Sequence, residues 1–156
     1  MPRILQISKT RVQKEPGNSK IKKIEFEGFP DTVRMGVHGG IAHFFGLKPD
    51  EPLLSTLDYV VAAISGCLTG TVAGVLEARG LPSDRNHLEA RAEGQIEEVD
   101  GKMLLTHVTV RYRLKIPKDK RPNVEKALQN HEDRCPVSAS IRRGITIECH
   151  TDIQEE

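Results

Sequence analysis

Residues 55–80 read STLDYVVAAISGCLTGTVAGVLEARG and predict the longest and most apolar helix of the chain. Ser55 followed three residues later by Asp58 resembles a capping box, and Gly80 is typical of a helix end. Between them the apolar side chains recur at steps of three and four residues, which indicates a helix with an apolar stripe. Its members are Leu57, Val60, Val61, Ile64, Cys67, Leu68, Val72, Val75 and Leu76.

The same helix presents a line of small residues, Gly66, Gly70 and Gly74, which would let another backbone approach closely. The uncharged run over residues 59–76 is also about as long as a membrane span requires. Because hydroxyl residues and glycines dilute the run and charged residues border it, we expect a core helix. Sheets, or a second subunit, would surround it.

Strands are predicted before this helix, where apolar and polar residues alternate around residues 23–27 and 32–37. Residues 4–7 are a further candidate for an edge strand. Residues 38–52 form a predicted loop that is rich in Gly and Pro, carries two histidines and is long enough to line a site.

After the helix the period of the apolar residues returns to two. Residues 88–96 and 108–116 predict an antiparallel hairpin that turns at residues 99–101. Pro122 opens a second helix, and residues 145–153 fit one face of a last strand. This order predicts an α+β fold in which helices lie against antiparallel sheet.

Composition is compatible with one domain over residues 1–156, since 37% of the residues are hydrophobic and no linker divides the chain. With 23 basic and 22 acidic residues, the net charge of +1 gives no global field that would favour nucleic acid or an anionic membrane. Aromatic residues make up 4%, so the core is aliphatic, and a chain of this size can need a partner subunit to cover it. The first residues lack the apolar region of a secretory signal, and we expect a cytoplasmic protein.

The cytoplasm keeps cysteines reduced, so the three cysteines of this chain are expected to be free, catalytic or metal-binding. Cys149 shares the inward phase of Ile145 and Ile147, which predicts a small apolar filler in a strand. We therefore expect no chemistry from Cys149.

Cys135 is different because Pro136 follows it in the segment RCPVSASI, which makes Cys135 the N-cap of a short helical turn. Unpaired backbone N–H groups and the helix dipole would stabilise a thiolate there. Arg134, Arg142 and Arg143 add positive charge in the neighbourhood. Two roles are compatible with this pattern: Cys135 is either a reactive thiol or a structural cap of the helix.

Cys67 lies too far inside its helix to gain from the dipole, which acts mainly within the first turn. A cation or hydrogen-bond donor from elsewhere in the fold would be needed to make it reactive. A zinc site is the competing hypothesis, but the candidate ligands show no C-x-x-C or H-x-x-x-H spacing, and we expect no metal. Those candidates are Cys67, Cys135, Cys149, His38, His43, His131 and His150.

Two segments together carry a family resemblance: PLLSTLDYVVAAISGC at residues 52–67 and CPVSASI at residues 135–141. In this order and at this separation they resemble the OsmC/Ohr family, the osmotically inducible and organic hydroperoxide resistance proteins. The similarity extends over nearly the whole chain. It implies an intertwined homodimer in which antiparallel sheets wrap around long central helices, with the active site at the interface.

The resemblance also implies the roles of two thiols. Cys67 matches the peroxidatic cysteine, whose thiolate attacks the O–O bond and becomes a sulfenic acid, and Cys135 matches the resolving cysteine, which captures it as a disulfide. A dithiol reductant, lipoyl-linked in the better understood branch, restores the thiols. No cofactor is implied.

The sequence departs from the family at two activating residues. Peroxide-reducing members carry a glutamate early in the central helix, and here Leu57 stands at that position. The adjacent Asp58 is therefore the candidate for the activating carboxylate. They also carry an arginine from the N-terminal strands, for which Arg34 is the candidate and Arg11 the reserve. These departures place the chain nearer the less characterised OsmC-like branches.

The leading hypothesis is a cysteine-based peroxidase for organic hydroperoxides, with hydrogen peroxide as a second candidate substrate, acting in oxidative stress defence. The alternative is a non-catalytic dimer that binds a small hydrophobic ligand in its interface cavity. Neither hypothesis involves nucleic acid or a membrane.

Overall fold

Residues 1–17 and 20–156, the part of the chain that this computed structural model describes, contain two three-stranded sheets and one long helix. One sheet lies in residues 1–59 and the other in residues 60–156, and each of these ranges is a compact unit. The chain has the predicted α+β composition. The organisation of residues 1–156 as a single domain stays a prediction.

The first sheet consists of β1 (Thr10–Lys14), β2 (Lys22–Phe26) and β3 (Thr32–Met35), paired antiparallel in that order. The prediction of an edge strand at residues 4–7 is wrong, because these residues are exposed and form no strand. Strand β1 begins at Thr10 because its partner strand β2 ends at Phe26, the residue paired with Thr10.

A short helix, α1 (Gly39–Phe44), lies inside the segment predicted as a loop, so the prediction is wrong for these six residues. Ile41 and Ala42 are buried, which explains why this glycine-rich stretch folds back onto apolar surface. Gly39 begins the helix with a φ of +51°, a value that glycine adopts without strain.

The long helix α2 spans Thr56–Glu77, close to its predicted bounds. A buried stripe runs along it, composed of Ile64, Leu68, Val72, Val75 and Leu76. By contrast, a Cβ atom added at any of the three glycines at positions 66, 70 and 74 would meet no atom within 4 Å in the described structure. This face of the helix is open in a single chain.

Only 28% of the most apolar 18-residue stretch of α2 is buried. By length and composition α2 is the one helix among residues 1–17 and 20–156 that could cross a membrane, and core helices of soluble proteins meet the same criterion. The elements of its own chain thus cover α2 only in part.

The second sheet contains β4 (Leu88–Val99), β5 (Lys102–Ile116) and β6 (Thr146–Glu155), with β5 in the centre. The predicted hairpin is confirmed, since β4 and β5 pair antiparallel and turn at Asp100 and Gly101 with φ values of +50° and +73°. The inward residues of β5 are buried as their alternation predicts: Val108, Val110, Tyr112, Leu114 and Ile116.

Strand β6 runs parallel to β5, so the prediction of purely antiparallel sheets is wrong for this pair. The connection between them contains two helices, α3 (Arg121–Leu128) and α4 (Pro136–Ile141). A parallel pair needs a crossover connection of about a dozen residues or more, usually helical. Two helices between the strands meet that need.

Helix α2 packs against β4 at Gly94, where a Cβ atom would collide with Val61. The glycine lets the helix approach the sheet closely. This contact helps to hold α2, and with it Cys67, over the second sheet.

Candidate redox site

Cys135 is the N-cap of α4, as the sequence predicts. Its sulfur accepts a hydrogen bond from the backbone N–H of Ser138 at 3.5 Å, and its own N–H donates to the carbonyl of Glu132 at 3.3 Å. The residue has no solvent exposure. The cap therefore holds the thiol in a fixed, water-excluded position.

The thiol of Cys67 is the neighbour of Cys135, although α2 and α4 are far apart in the sequence. Burial raises the pKa of the Cys135 thiol, and the nearby Cys67 thiol raises it further. Cys67 itself is half-buried, and both cysteines are free thiols. The structure thus brings together the two cysteines that the sequence singles out.

The direction of this pKa shift corrects the expected electrostatics of Cys135. Backbone N–H groups of Ser138 and Val137 lower the pKa, as predicted, but the cost of burying a charge is larger. Two of the three arginines expected nearby have other partners: Arg134 donates to the carbonyl of Ala127, and Arg142 pairs with Asp133. At neutral pH Cys135 is therefore a protonated thiol.

Cys149 lies in a hydrogen-bonded chain beside this pair. Its sulfur is 3.9 Å from the Tyr112 hydroxyl, which is 3.3 Å from Nε2 of His131. Nδ1 of His131 lies 2.8 Å from the carbonyl of Leu128, which can only accept, so Nδ1 carries a proton. Burial raises the pKa of Cys149 to about 11, so it stays a thiol.

One group of metal-ligating side chains forms in the described structure, consisting of His131, Glu132 and Cys149. Their donor atoms lie within 4.8 Å of one another. Both ring nitrogens of His131 already have hydrogen-bond partners, so a metal ion would have to replace one of them. The group has neither C-x-x-C nor H-x-x-x-H spacing, because it joins the short turn His131–Asp133, between α3 and α4, to β6.

Asp58 completes the predicted capping box at the start of α2. Its Oδ2 atom accepts from the Ser55 N–H at 2.6 Å and from the Ser55 hydroxyl at 2.7 Å, while the Asp58 N–H donates to that hydroxyl at 3.2 Å. Nε2 of His38 lies 2.8 Å from the same Oδ2. Burial opposes ionisation of Asp58, but the bonds from Ser55 and His38 outweigh it and hold its pKa below the usual value.

Arg34 lies in β3 and is held by two carboxylates. Its Nε and Nη2 atoms donate to Glu15 at 2.7 and 2.9 Å, and its Nη1 and Nη2 atoms donate to Glu51 at 2.5 and 2.9 Å. These bidentate bonds fix the plane of the guanidinium. Arg11, the reserve candidate, makes one exposed contact, with Glu25 at 3.5 Å.

The sequence did not reveal the carboxylates on Arg34 or the histidine on Asp58. Glu15 and Glu51 are 19 and 17 positions from Arg34, and His38 is 20 positions from Asp58. No periodic pattern links residues at such separations. The one sequence feature that pointed to such a partner was the presence of a histidine, His38, in a glycine-rich segment.

Comparison with known proteins agrees with this arrangement of elements. A family model described as OsmC-like protein matches residues 49–150, a range that includes both Cys67 and Cys135. No curated protein matches the chain in sequence.

Solved structures resemble the whole chain. An OsmC-like protein of unknown function from Vibrio cholerae has a TM-score of 0.68 at 16% identity, covering 96% of this chain and 100% of its own. An organic hydroperoxide resistance protein OsmC from Legionella pneumophila has a TM-score of 0.68 at 10% identity, with coverages of 96% and 99%. The organic hydroperoxide resistance protein OhrB of Bacillus subtilis has a TM-score of 0.61 at 15% identity, with coverages of 97% and 100%. At these identities the likeness concerns the fold.

Replacing Asp58 with alanine is expected to lower the free energy of unfolding by about 1 kcal/mol at pH 7, because the helix loses its capping box. Since the pKa of Asp58 is depressed in the folded protein, its contribution is present above the unfolded pKa of about 3.9 and is lost as pH falls through the folded value. Urea denaturation of both proteins from pH 7 to 3 would measure a difference that shrinks at low pH.

The exposed carboxylate Asp50 offers the matched control, and Asp50→Ala should change the stability by less than about 0.5 kcal/mol. A stability difference for Asp58→Ala that is absent at pH 7, or that persists unchanged at pH 3, contradicts this assignment.

Proposed function

Because the chain belongs to the OsmC-like family, we propose that it is a cysteine-based peroxidase that reduces organic hydroperoxides. The neighbouring thiols of Cys67 and Cys135 are the observation that carries the proposal. The names of the Legionella and Bacillus proteins of similar fold point to the same class of substrate. A cytoplasmic location, where thiols are kept reduced, suits this chemistry.

The proposed reaction uses each thiol once. The Cys67 thiolate attacks one oxygen of the hydroperoxide, the O–O bond breaks, and the organic part leaves as an alcohol after taking up a proton. Cys67 is then a sulfenic acid. The Cys135 sulfur attacks that sulfur, and the S–O bond breaks to give a disulfide and water. A dithiol reductant, lipoyl-linked or of another kind, restores both thiols and leaves as its own disulfide.

The order of the two cysteines follows from their surroundings. Cys67 is half-buried and open to an incoming molecule, whereas Cys135 has no exposure and a raised pKa. A peroxide can therefore reach the Cys67 sulfur first. Cys149 is excluded as the nucleophile because a thiol of pKa about 11 is almost entirely protonated at neutral pH.

Arg34 enters the proposal as the candidate activating cation that the family resemblance implies. The helix carries Leu57 where peroxide-reducing relatives carry a glutamate, and in this protein Glu15 and Glu51 supply the carboxylates that orient the guanidinium. Asp58 has a structural role, since its carboxylate is hydrogen-bonded to Ser55 and His38 at the start of α2. It holds the helix that bears the reactive thiol.

The open face of α2 supports a homodimer as part of the proposal. Its three glycines have room for another backbone, and only 28% of the most apolar 18-residue stretch of the helix is buried in one chain. A second copy packed on this face would bury that surface. An apolar cavity formed there would also accept the organic part of a hydroperoxide.

One equivalent of tert-butyl hydroperoxide should convert the reduced protein into a form with a Cys67–Cys135 disulfide, seen by peptide mass spectrometry. Cys67→Ser should abolish turnover, because it removes the attacking sulfur. Cys149→Ser is the matched control and should form the disulfide at the unsubstituted rate. If Cys67 and Cys135 stay reduced under peroxide that oxidises a known thiol peroxidase, the proposed activity is wrong.

Arg34→Lys should slow the oxidation of Cys67 by about tenfold to a hundredfold, the loss expected for a hydrogen bond to a charged group. Lysine keeps the charge but cannot hold the bidentate geometry. The rate can be followed by stopped-flow with tert-butyl hydroperoxide, and Arg11→Lys is the control expected to react normally. A normal rate in Arg34→Lys, or an equal loss in both variants, would remove Arg34 from the site.

The unsubstituted protein should sediment as a dimer in analytical ultracentrifugation, and Gly70→Glu should shift it to monomer by placing a charge on the open face of α2. Gly144→Glu is the control, because an added Cβ there also has room, its nearest atom lying at 4.0 Å. A monomeric unsubstituted protein, or a dimeric Gly70→Glu variant, would count against this interface.

A further inference from the structure

Ser138 carries the one buried side-chain nitrogen or oxygen without a hydrogen-bond partner in the described part of the chain. The residue is 1% exposed, so water does not supply the missing partner at the surface. Leaving a buried hydroxyl unpaired lowers stability, and alanine would fill the same position without that loss. Stability of the folded state therefore does not explain why a serine occupies this position.

The local hydrogen bonds show why this hydroxyl is free. Ser138 is the third residue of α4, the position whose side chain reaches back to the N-cap N–H in a capping box. Here the N–H of Cys135 already donates to the carbonyl of Glu132. Ser140, on the same helix, differs in being exposed and bonded to the carbonyl of Pro136 at 2.7 Å.

The same turn places Ser138 beside the resolving thiol. Its backbone N–H points at the Cys135 sulfur at 3.5 Å, and both residues are fully buried. A serine hydroxyl reorients by rotation about a single bond, χ1, among three staggered positions. The Cys135 sulfur, which accepts from the backbone N–H of Ser138, is a buried acceptor that gains negative charge in the proposed reaction.

We propose that Ser138 is a catalytic residue of the resolving step, whose hydroxyl donates a hydrogen bond to the Cys135 sulfur as this thiol attacks the Cys67 sulfenic acid. The inference rests on the proposed peroxidase function and adds a residue to it. In this step the S–S bond forms and the S–O bond of the sulfenic acid breaks. The proton from Cys135 leaves with the hydroxide as water, and Ser138 is unchanged.

The electrostatics of Cys135 explain what this donor supplies. Burial and the adjacent Cys67 favour the neutral thiol, and the backbone N–H groups of Ser138 and Val137 only partly offset them. A third donor that turns toward the sulfur when charge develops would favour the attacking thiolate. The first step, oxidation of Cys67, does not use this donor, and so the two steps respond differently to its loss.

The test is Ser138→Ala, with Ser140→Ala as the matched control, each reacted with one equivalent of tert-butyl hydroperoxide. Dimedone trapping measures sulfenic acid on Cys67, and mass spectrometry measures the Cys67–Cys135 disulfide over time. For Ser138→Ala we expect unchanged formation of the sulfenic acid and about tenfold to a hundredfold slower formation of the disulfide. Its Tm should be equal to or above that of the unsubstituted protein, whereas Ser140→Ala should resolve normally.

Ser138→Thr keeps the hydroxyl but adds a methyl group to a packed site, so its Tm should fall while disulfide formation stays within about threefold of normal. Normal disulfide formation in Ser138→Ala overturns the inference and leaves the proposed function standing. A slowed reaction in Ser138→Ala together with a lowered Tm also overturns it, because a structural role then accounts for the loss. If the unsubstituted protein forms neither a sulfenic acid on Cys67 nor the Cys67–Cys135 disulfide, both the proposed function and this inference are wrong.

Discussion

The proximity of the Cys67 and Cys135 thiols is the constraint that the candidate site depends on. It requires one sulfur to sit inside a long apolar helix and the other at the cap of a short one. The capping box at Ser55 and Asp58 sets the start of the long helix, and Gly94 lets that helix lie close to the second sheet. The elements around the thiols thus serve to bring two distant segments together.

Burial gives the two sulfurs different properties. Cys135 is buried and its pKa is raised, so it is a protonated thiol, whereas Cys67 is half-buried. This asymmetry is what a two-step thiol reaction needs, because the accessible sulfur meets the oxidant and the enclosed sulfur meets only its neighbour. The buried hydroxyl of Ser138 belongs to the same enclosed environment.

Local patterns allowed much of the fold to be predicted from the sequence. The capping box, the Asp100–Gly101 turn and the Cys135 cap each depend on residues within a few positions of one another, and all three are confirmed. The parallel pairing of β5 with β6 could not be predicted in this way, since it depends on how a long crossover folds.

The candidate site shows the same division. Helical periodicity predicted the long helix that carries Cys67, but the partners of Arg34 and Asp58 come from residues 17 to 20 positions away. The pKa of Cys135 was predicted in the wrong direction because the N-cap is visible in sequence and the depth of burial is not. The unpaired hydroxyl of Ser138 depends on tertiary burial, which the sequence does not show.

The proposed reaction requires that the environment of Cys67 make it the reactive thiol of this protein. The most direct measurement is a competition within one molecule, in which limiting organic hydroperoxide is added and the initial oxidation rates of Cys67 and Cys149 are compared by isotope-coded alkylation. Cys149, with a pKa of about 11, is the internal reference. We predict that Cys67 is oxidised far ahead of Cys149. Equal rates for the two cysteines would contradict the account.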